Sequence, residues 1–287
     1  MSTFAVSGVT APLWLPPIVA AAVAFATSMV GISGAVLLLP FQVSVLGFAS
    51  PAASATNLVY NLVAIPGSLM RYRREGRLFW PLALAIALGS APGTLLGAWL
   101  RIHVLAERGV FEPFVAAVLL YLAWRLLTGG RDESESVFAE GVTALGWDRR
   151  HLGLGYGGAE HRVPLPALLG VSFLVGLVGT AYGIGGGSLM VPLCLARWRL
   201  PLHAIAGATL AATLLTSILA LAAYALIPAP PGVAAAPDLA LGALFGLGGL
   251  AGGYLGARCQ RYLPQAALKA LLAVVLLGLA GYYLWPG

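Results

Sequence analysis

Long apolar blocks, separated by short polar breaks that carry glycine or proline, organise this chain and predict ten helical segments. In the first half they fall at Leu13–Val30, Gly34–Leu46, Pro51–Met70, Phe79–Leu100 and Phe111–Leu127. In the second half they fall at Pro166–Tyr182, Gly186–Ala196, Pro201–Ile227, Leu239–Arg258 and Pro264–Leu284. The second segment of each half has only about 11–13 residues, too short to span a bilayer comfortably. With a glycine turn before it, the first pair of each half is expected to form a helical hairpin or broken helix. Full crossing and re-entry both remain open at this level.

The pattern is duplicated. Gly31-Ile32-Ser33-Gly34 with Pro40 falls on Gly183-Ile184-Gly185-Gly186 with Pro192 at an offset of 152 residues. Asn57 and Asn61 fall on Thr209 and Thr213 at the same offset. Gly93-Thr94-Leu95-Leu96-Gly97-Ala98 matches Gly252-Gly253-Tyr254-Leu255-Gly256-Ala257 at an offset of 159. Such doubling in an apolar chain implies two halves around a central site. Each half has an odd number of crossings, so the second is expected upside down. The expected fold is an all-α polytopic membrane protein with two inverted-topology repeats, residues 1–127 and 164–287, each of about five helical segments with a broken or hairpin first pair. A linker, residues 128–163, joins them.

Composition sharpens this reading. Of 287 residues 60% are hydrophobic and 9% charged, with mean hydropathy +0.91, which excludes a water-soluble domain because its surface could not be kept solvated. A net charge of +6 suggests nucleic acid only until the basic residues are placed in loops between apolar segments. With the Arg71–Arg77 loop cytoplasmic, 14 of the 16 Lys and Arg lie inside, and only Arg101 and Arg108 lie outside. Pro228–Pro237, the repeat partner of the Arg71–Arg77 loop, carries neither Lys nor Arg. Both termini are then expected outside a multi-pass cytoplasmic (inner) membrane protein. The first residues lack a basic region and a cleavage site, so no removable signal peptide is expected. The charged, glycine-bearing linker is expected to be a cytoplasmic tether, partly ordered at best.

Candidate chemistry is sparse. Gly183-Ile184-Gly185-Gly186-Gly187-Ser188 opens a short helix whose unpaired N–H groups suit an anion, and Gly31, Ser33 and Gly34 offer a related turn. Tight helix packing is the alternative reading of the same glycines. Packing is the better reading of Gly89, Gly93, Gly97 and of Gly248, Gly252, Gly256, which recur every four residues. Asn57 and Asn61 share a helix face with Thr56 and Tyr60 beside it, and Thr209 and Thr213 hold the matching face. Amides and hydroxyls there line an anion site or hydrogen-bond between helices. All ten acidic residues lie in loops or at helix ends, which disfavours a cation exchanger and leaves the driving force open. Cys194 and Cys259 suggest neither metal nor disulfide. His203, at a helix entry, reads as structural, with coupling as the alternative.

The Gly-Ile-Gly-Gly-Gly-Ser turn with Pro192, its weaker copy ending at Pro40, and the polar helices after Pro51 and Pro201 resemble the TauE/SafE family of sulfite and organosulfonate exporters. The likeness runs from Leu13 to Leu284, excluding the linker. It implies export of small sulfur-containing anions such as sulfite or sulfoacetate. The first copy departs where Ser33 and Ala35 stand in place of Gly185 and Gly187.

The expectation is therefore a secondary transporter, not an enzyme, working by alternating access. Its substrate-binding residues would be Gly31, Ser33, Gly34, Asn57, Tyr60, Asn61, Gly185, Gly186, Gly187, Ser188, Thr209 and Thr213. No cofactor, metal or catalytic residue is expected. The expected partners are a small anion and the lipid bilayer, not nucleic acid, with a homodimer left open. The alternatives are an anion channel of the same architecture and a rhomboid-like intramembrane serine protease using Ser33 and His203.

Overall fold

The computed structural model of the chain describes residues 2–128, 142–259, 262 and 265–284. Among these residues ten helices form the body: α1 Leu15–Ser28, α2 Ala35–Ser44, α3 Pro51–Arg74, α4 Trp80–His103, α5 Arg108–Thr128, α6 Leu165–Tyr182, α7 Met190–Trp198, α8 Leu202–Leu226, α9 Leu239–Cys259 and α10 Gln265–Leu284. Among the described residues, α4, α5, α6, α8 and α9 contain stretches long and apolar enough to cross a membrane. The fold is thus all-α and polytopic. Proline in the first turn starts α1, α3, α4 and α6, where its missing N–H costs nothing. Arg71, Arg73 and Arg74 close α3 against the negative end of its dipole.

The two halves are inverted copies. At the centre α3 and α8 run antiparallel: Ser54 lies beside Tyr224, Asn61 bonds Ser217, and Tyr72 packs on Gly207. Around this crossing, contacts come in exchanged pairs. α4 packs on α6 as α9 packs on α1, α4 packs on α8 as α9 packs on α3, and α5 packs on α10. The exchange shows a two-fold relation between the halves, and the antiparallel α3 and α8 make it one between inverted halves.

The four-residue glycine rows are the scaffold. Gly89, Gly93 and Gly97 meet Leu169, Phe173 and Leu177 in that order, and Gly248, Gly252 and Gly256 meet Pro17, Ala21 and Phe25. A Cβ at Gly93 or Gly252 would overlap the carbonyl oxygen of Phe173 or Ala21. In hydrocarbon, where apolar burial gives no drive for association, this backbone approach supplies the packing.

Of the two forms expected for the first pair of each half, a hairpin or a broken helix, the hairpin is the one observed. α1 runs parallel to α9, and α9 parallel to α3. Contacts on α3 then move back from Tyr72 (at Ser28) to Asn61 (at Ser33) and Asn57 (at Ala35). The α1–α2 pair therefore doubles back. The α6–α7 pair does the same against α8, as Gly185 meets Ser217 and Gly187 meets Thr209.

Three expectations need correction. The seventh helix begins at Met190 rather than Gly186, because Gly185 has φ +77° and three consecutive glycines are poor helix formers. The linker is not merely a loose tether. Residues 129–141 lie outside the described residues, but Thr143–Trp147, His151–Tyr156 and Ala159–Pro164 form an antiparallel sheet, β3-β4-β5. It buries Leu152, Leu154 and Val163 and is tied to the α3–α4 loop by the Val142 N–H on the Gly76 carbonyl. Leu152 and Leu154 on alternate positions were the available signal, outweighed by the charges around them. Finally, Ser2–Thr3 and Thr10–Ala11 pair as a small hairpin, β1-β2, unforeseen from the sequence. Its Ser7 hydroxyl donates to the Asp238 carboxylate at the start of α9 at 2.8 Å.

Candidate functional site

Midway along α3 the two glycine turns come together on one side chain. Asn61 Oδ1 accepts from the Ser33 hydroxyl at 2.6 Å, so Asn61 holds the first turn. Its Nδ2 donates to the Ile184 carbonyl at 3.2 Å and to Ser217 Oγ at 3.1 Å, so the same amide holds the second turn and α8. An amide is suited to this task because it carries an acceptor and two donors and no net charge. Asn61 is wholly buried, as are Asn57, Thr209 and Thr213.

The remaining polar groups form a shell of hydroxyls on the turn backbones. Ser33 Oγ accepts the Ala35 N–H at 3.2 Å, and Thr216 Oγ1 accepts the Gly186 N–H at 2.8 Å. The Ala35 N–H is a helix-start amide of the kind that binds oxyanions, and the Gly186 N–H belongs to the glycine turn before α7; each is held here by a protein hydroxyl. The Tyr60 hydroxyl sits against Gly34. Ser188 Oγ bonds the Ile184 carbonyl at 3.0 Å and lies 3.4 Å from Thr213 Oγ1. Ser90 Oγ, from α4, reaches the Gly186 carbonyl at 3.5 Å. Gly185 and Gly187 press directly on α8, at Thr213 and Thr209, and Gly186 lies against Ser90. Backbones this close leave no room for a side chain.

The expected residues fall into two groups. Ser33, Gly34, Tyr60, Asn61, Gly185, Gly186, Gly187, Ser188 and Thr213 meet around the paired turns. Asn57 faces α2 instead: Nδ2 bonds the Ala35 carbonyl at 2.8 Å, and Oδ1 accepts from Gln42 Nε2 at 3.0 Å. Thr209 turns its hydroxyl back onto the Ile205 and Ala206 carbonyls of its own helix. Gly31 lies farther along, against Ala206 and Leu202. The His203 side chain lies outside the described residues.

Sequence reasoning missed Ser217, Thr216, Ser90 and Gln42. Ser217 and Thr216 continue the face of Thr209 and Thr213 at helical spacing, so that face was legible one turn further on. Gln42 is buried with its Oε1 unpartnered. Another buried polar group, Arg101, closes the far end of α4. Its Nε donates to Ser54 Oγ at 3.0 Å, its other nitrogens reach the Ala49 and Leu105 carbonyls, and its guanidinium lies 3.5 Å over the Phe111 ring.

Among the described residues no cluster of His, Cys, Asp or Glu has the make-up of a metal site. The site is a neutral, buried field of amides and hydroxyls held between the two glycine turns. Groups of this kind coordinate a desolvated anion without binding it so tightly that release fails. No curated protein and no solved structure matches the chain. A family model described as sulfite exporter TauE/SafE matches residues 17–283. Its reach through both inverted halves and both glycine turns makes this chain a member of the TauE/SafE family of membrane transporters.

Proposed function

We propose that the chain exports small sulfur-containing anions, sulfite or organosulfonates such as sulfoacetate, across the cytoplasmic (inner) membrane by alternating access. The observation that carries this reading is the convergence of both glycine turns on Asn61. A solute placed there would meet N–H and O–H donors from both inverted halves, with no carboxylate among the described residues that bond at the site. On binding, it would displace the Ser33 and Thr216 hydroxyls from the Ala35 and Gly186 amides and take their place. Fixed donors in a dry site are worth more than in water, so neutral groups suffice for a small oxyanion.

In this reading residues 1–127 and 164–287 are the two moving halves. The Arg71–Arg77 end, with the β3-β4-β5 sheet, faces the cytoplasm, and both termini lie outside. The buried packing of the halves around Asn61 supports a carrier over an open anion channel. Ser33 supports the carrier over a protease, since its hydroxyl is engaged by Asn61 and by the Ala35 amide. The test is flux of sulfite and sulfoacetate into proteoliposomes. The wild-type chain accumulates at least one of them above empty liposomes, and Asn61→Ala does not. Equal flux through both proteins would refute the site, and no flux of either anion would refute the substrate class.

A further inference from the structure

Two tyrosines outside the site repeat one contact with the inverted symmetry of the fold. Tyr72 of α3 donates its hydroxyl to the Ser28 carbonyl, at the last residue of α1, at 3.0 Å. Tyr224 of α8 donates to the Thr180 carbonyl, near the end of α6, at 3.4 Å. Both donor and acceptor are displaced by 152 residues, 72 to 224 and 28 to 180. Beside each bond the chain reverses at a left-handed glycine, Gly31 (φ +71°) or Gly183 (φ +96°). Each glycine is wedged on the partner central helix. A Cβ would lie 2.7 Å from the Ala206 Cβ at Gly31, and 2.7 Å from the Ser54 Cα at Gly183. Ala206 and Ser54 are themselves displaced by 152.

These contacts bracket the site. At 1.5 Å per residue, Ser54 and Tyr72 lie about 27 Å apart along α3, close to the hydrocarbon thickness of about 30 Å. Asn61 sits between them. Each tyrosine also has a guanidinium beside it, although the two arginines are not repeat equivalents. Arg77 lies 5.0 Å from the Tyr72 ring and pairs with Glu75, and Arg101 lies next to Tyr224 and bonds Ser54. A positive group supplied independently at both ends fits passage of an anion.

We propose that Tyr72 and Tyr224 are the two gates of the pathway, each latching a hairpin end to its neighbouring central helix, and that both are shut in this structure. The proposal rests on the transport reading above. A hydroxyl-to-carbonyl latch is a good gate because modest hydrogen bonds hold it, one at Tyr72 and at Tyr224 a further one with Ser54, so binding at Asn61 can release either end. Opening Tyr72–Ser28 exposes the site on the Arg71–Arg77 side, and opening Tyr224–Thr180 exposes it on the opposite side.

The test uses a reporter, Ser217→Cys, in a full-length chain whose two native cysteines are alanine. It is labelled with a membrane-impermeant thiol reagent in right-side-out and inside-out vesicles. Tyr72→Phe is expected to raise labelling from the cytoplasmic face alone, by about tenfold for a loss of about 1.4 kcal/mol. Tyr224→Phe is expected to raise it from the outer face alone. If a phenylalanine variant is not recovered folded, Tyr72→Met or Tyr224→Met replaces it, filling most of the space with no hydrogen-bond donor. Unchanged labelling, or increases from the same face, overturns the gates. Side-specific labelling in a chain that carries neither sulfite nor sulfoacetate keeps the gates and removes only the substrate class.

Discussion

The N- and C-terminal halves of this protein share a scaffold and differ at the site. On the scaffold the copies agree in detail: glycine rows at 89, 93, 97 and at 248, 252, 256 meet the equivalent helices α6 and α1. At the site they part. Asn61 reaches across to both glycine turns and to α8, whereas its counterpart Thr213 turns its hydroxyl back to the Thr209 carbonyl of its own helix. An amide is long enough to bridge elements, and a threonine in a helix finds its nearest acceptor four residues back. Inverted duplication thus fixed the frame while the polar inserts diverged. One half holds the two turns together, and the other sets hydroxyl acceptors against them, Thr216 for the Gly186 N–H and Ser217 for Asn61.

The comparison predicts equal damage on the scaffold and unequal damage at the site. The largest effect should come from Gly93→Val and Gly252→Val, each of which drives a side chain into a backbone carbonyl. Overpacking of this kind costs about 3 kcal/mol or more when neither backbone can retreat. Thermal unfolding in detergent should show both variants severely destabilised and to a similar degree. A tolerant copy would break the claim of a symmetric frame.

Next is Asn61→Ala, which removes three buried hydrogen bonds at once. It should lower sulfite flux at least about tenfold, equivalent to about 1.4 kcal/mol. Thr209→Ala should change the same flux by less than about threefold, since its hydroxyl serves only its own helix. Matching losses in the two variants would erase the asymmetry.

The smallest effect belongs to the sheet, which lies between the halves and has no counterpart among the described residues of either. The Asp148 carboxylate accepts the Arg150 and His151 amides at 2.6 Å, and these bonds hold its pKa below the usual carboxylate value. With the folded value depressed, its contribution is present above the ordinary carboxylate range and fades as pH falls through the lowered value. Asp148→Ala should speed amide exchange at Arg150 and His151 near neutral pH and leave transport unchanged.

Most of the frame was readable because it is written in apolar runs and repeated glycines, both set by the bilayer. The inverted order followed from an odd count of segments and from arginines gathered in one set of loops. The sheet was hidden because Leu152, Leu154 and Val163 are few and lie among charges that suggest a solvated tether. At the site, the glycine turns, Asn61 and Thr213 were visible as polar or flexible breaks in apolar helices. Their partners were not. Whether Asn57 faces the turns or α2 depends on rotamer and helix rotation, and neither is encoded in spacing alone. The same limit hid Arg101, whose side chain folds inward from a helix end that the sequence places in an exposed loop.

Calorimetric titration of the purified protein with sulfite tests the central claim most directly, with Asn61→Ala and Thr209→Ala measured alongside. Joint holding of one anion by both turns predicts binding to the wild type, affinity weakened about tenfold or more in Asn61→Ala, and near wild-type affinity in Thr209→Ala. Undiminished binding by Asn61→Ala would contradict it.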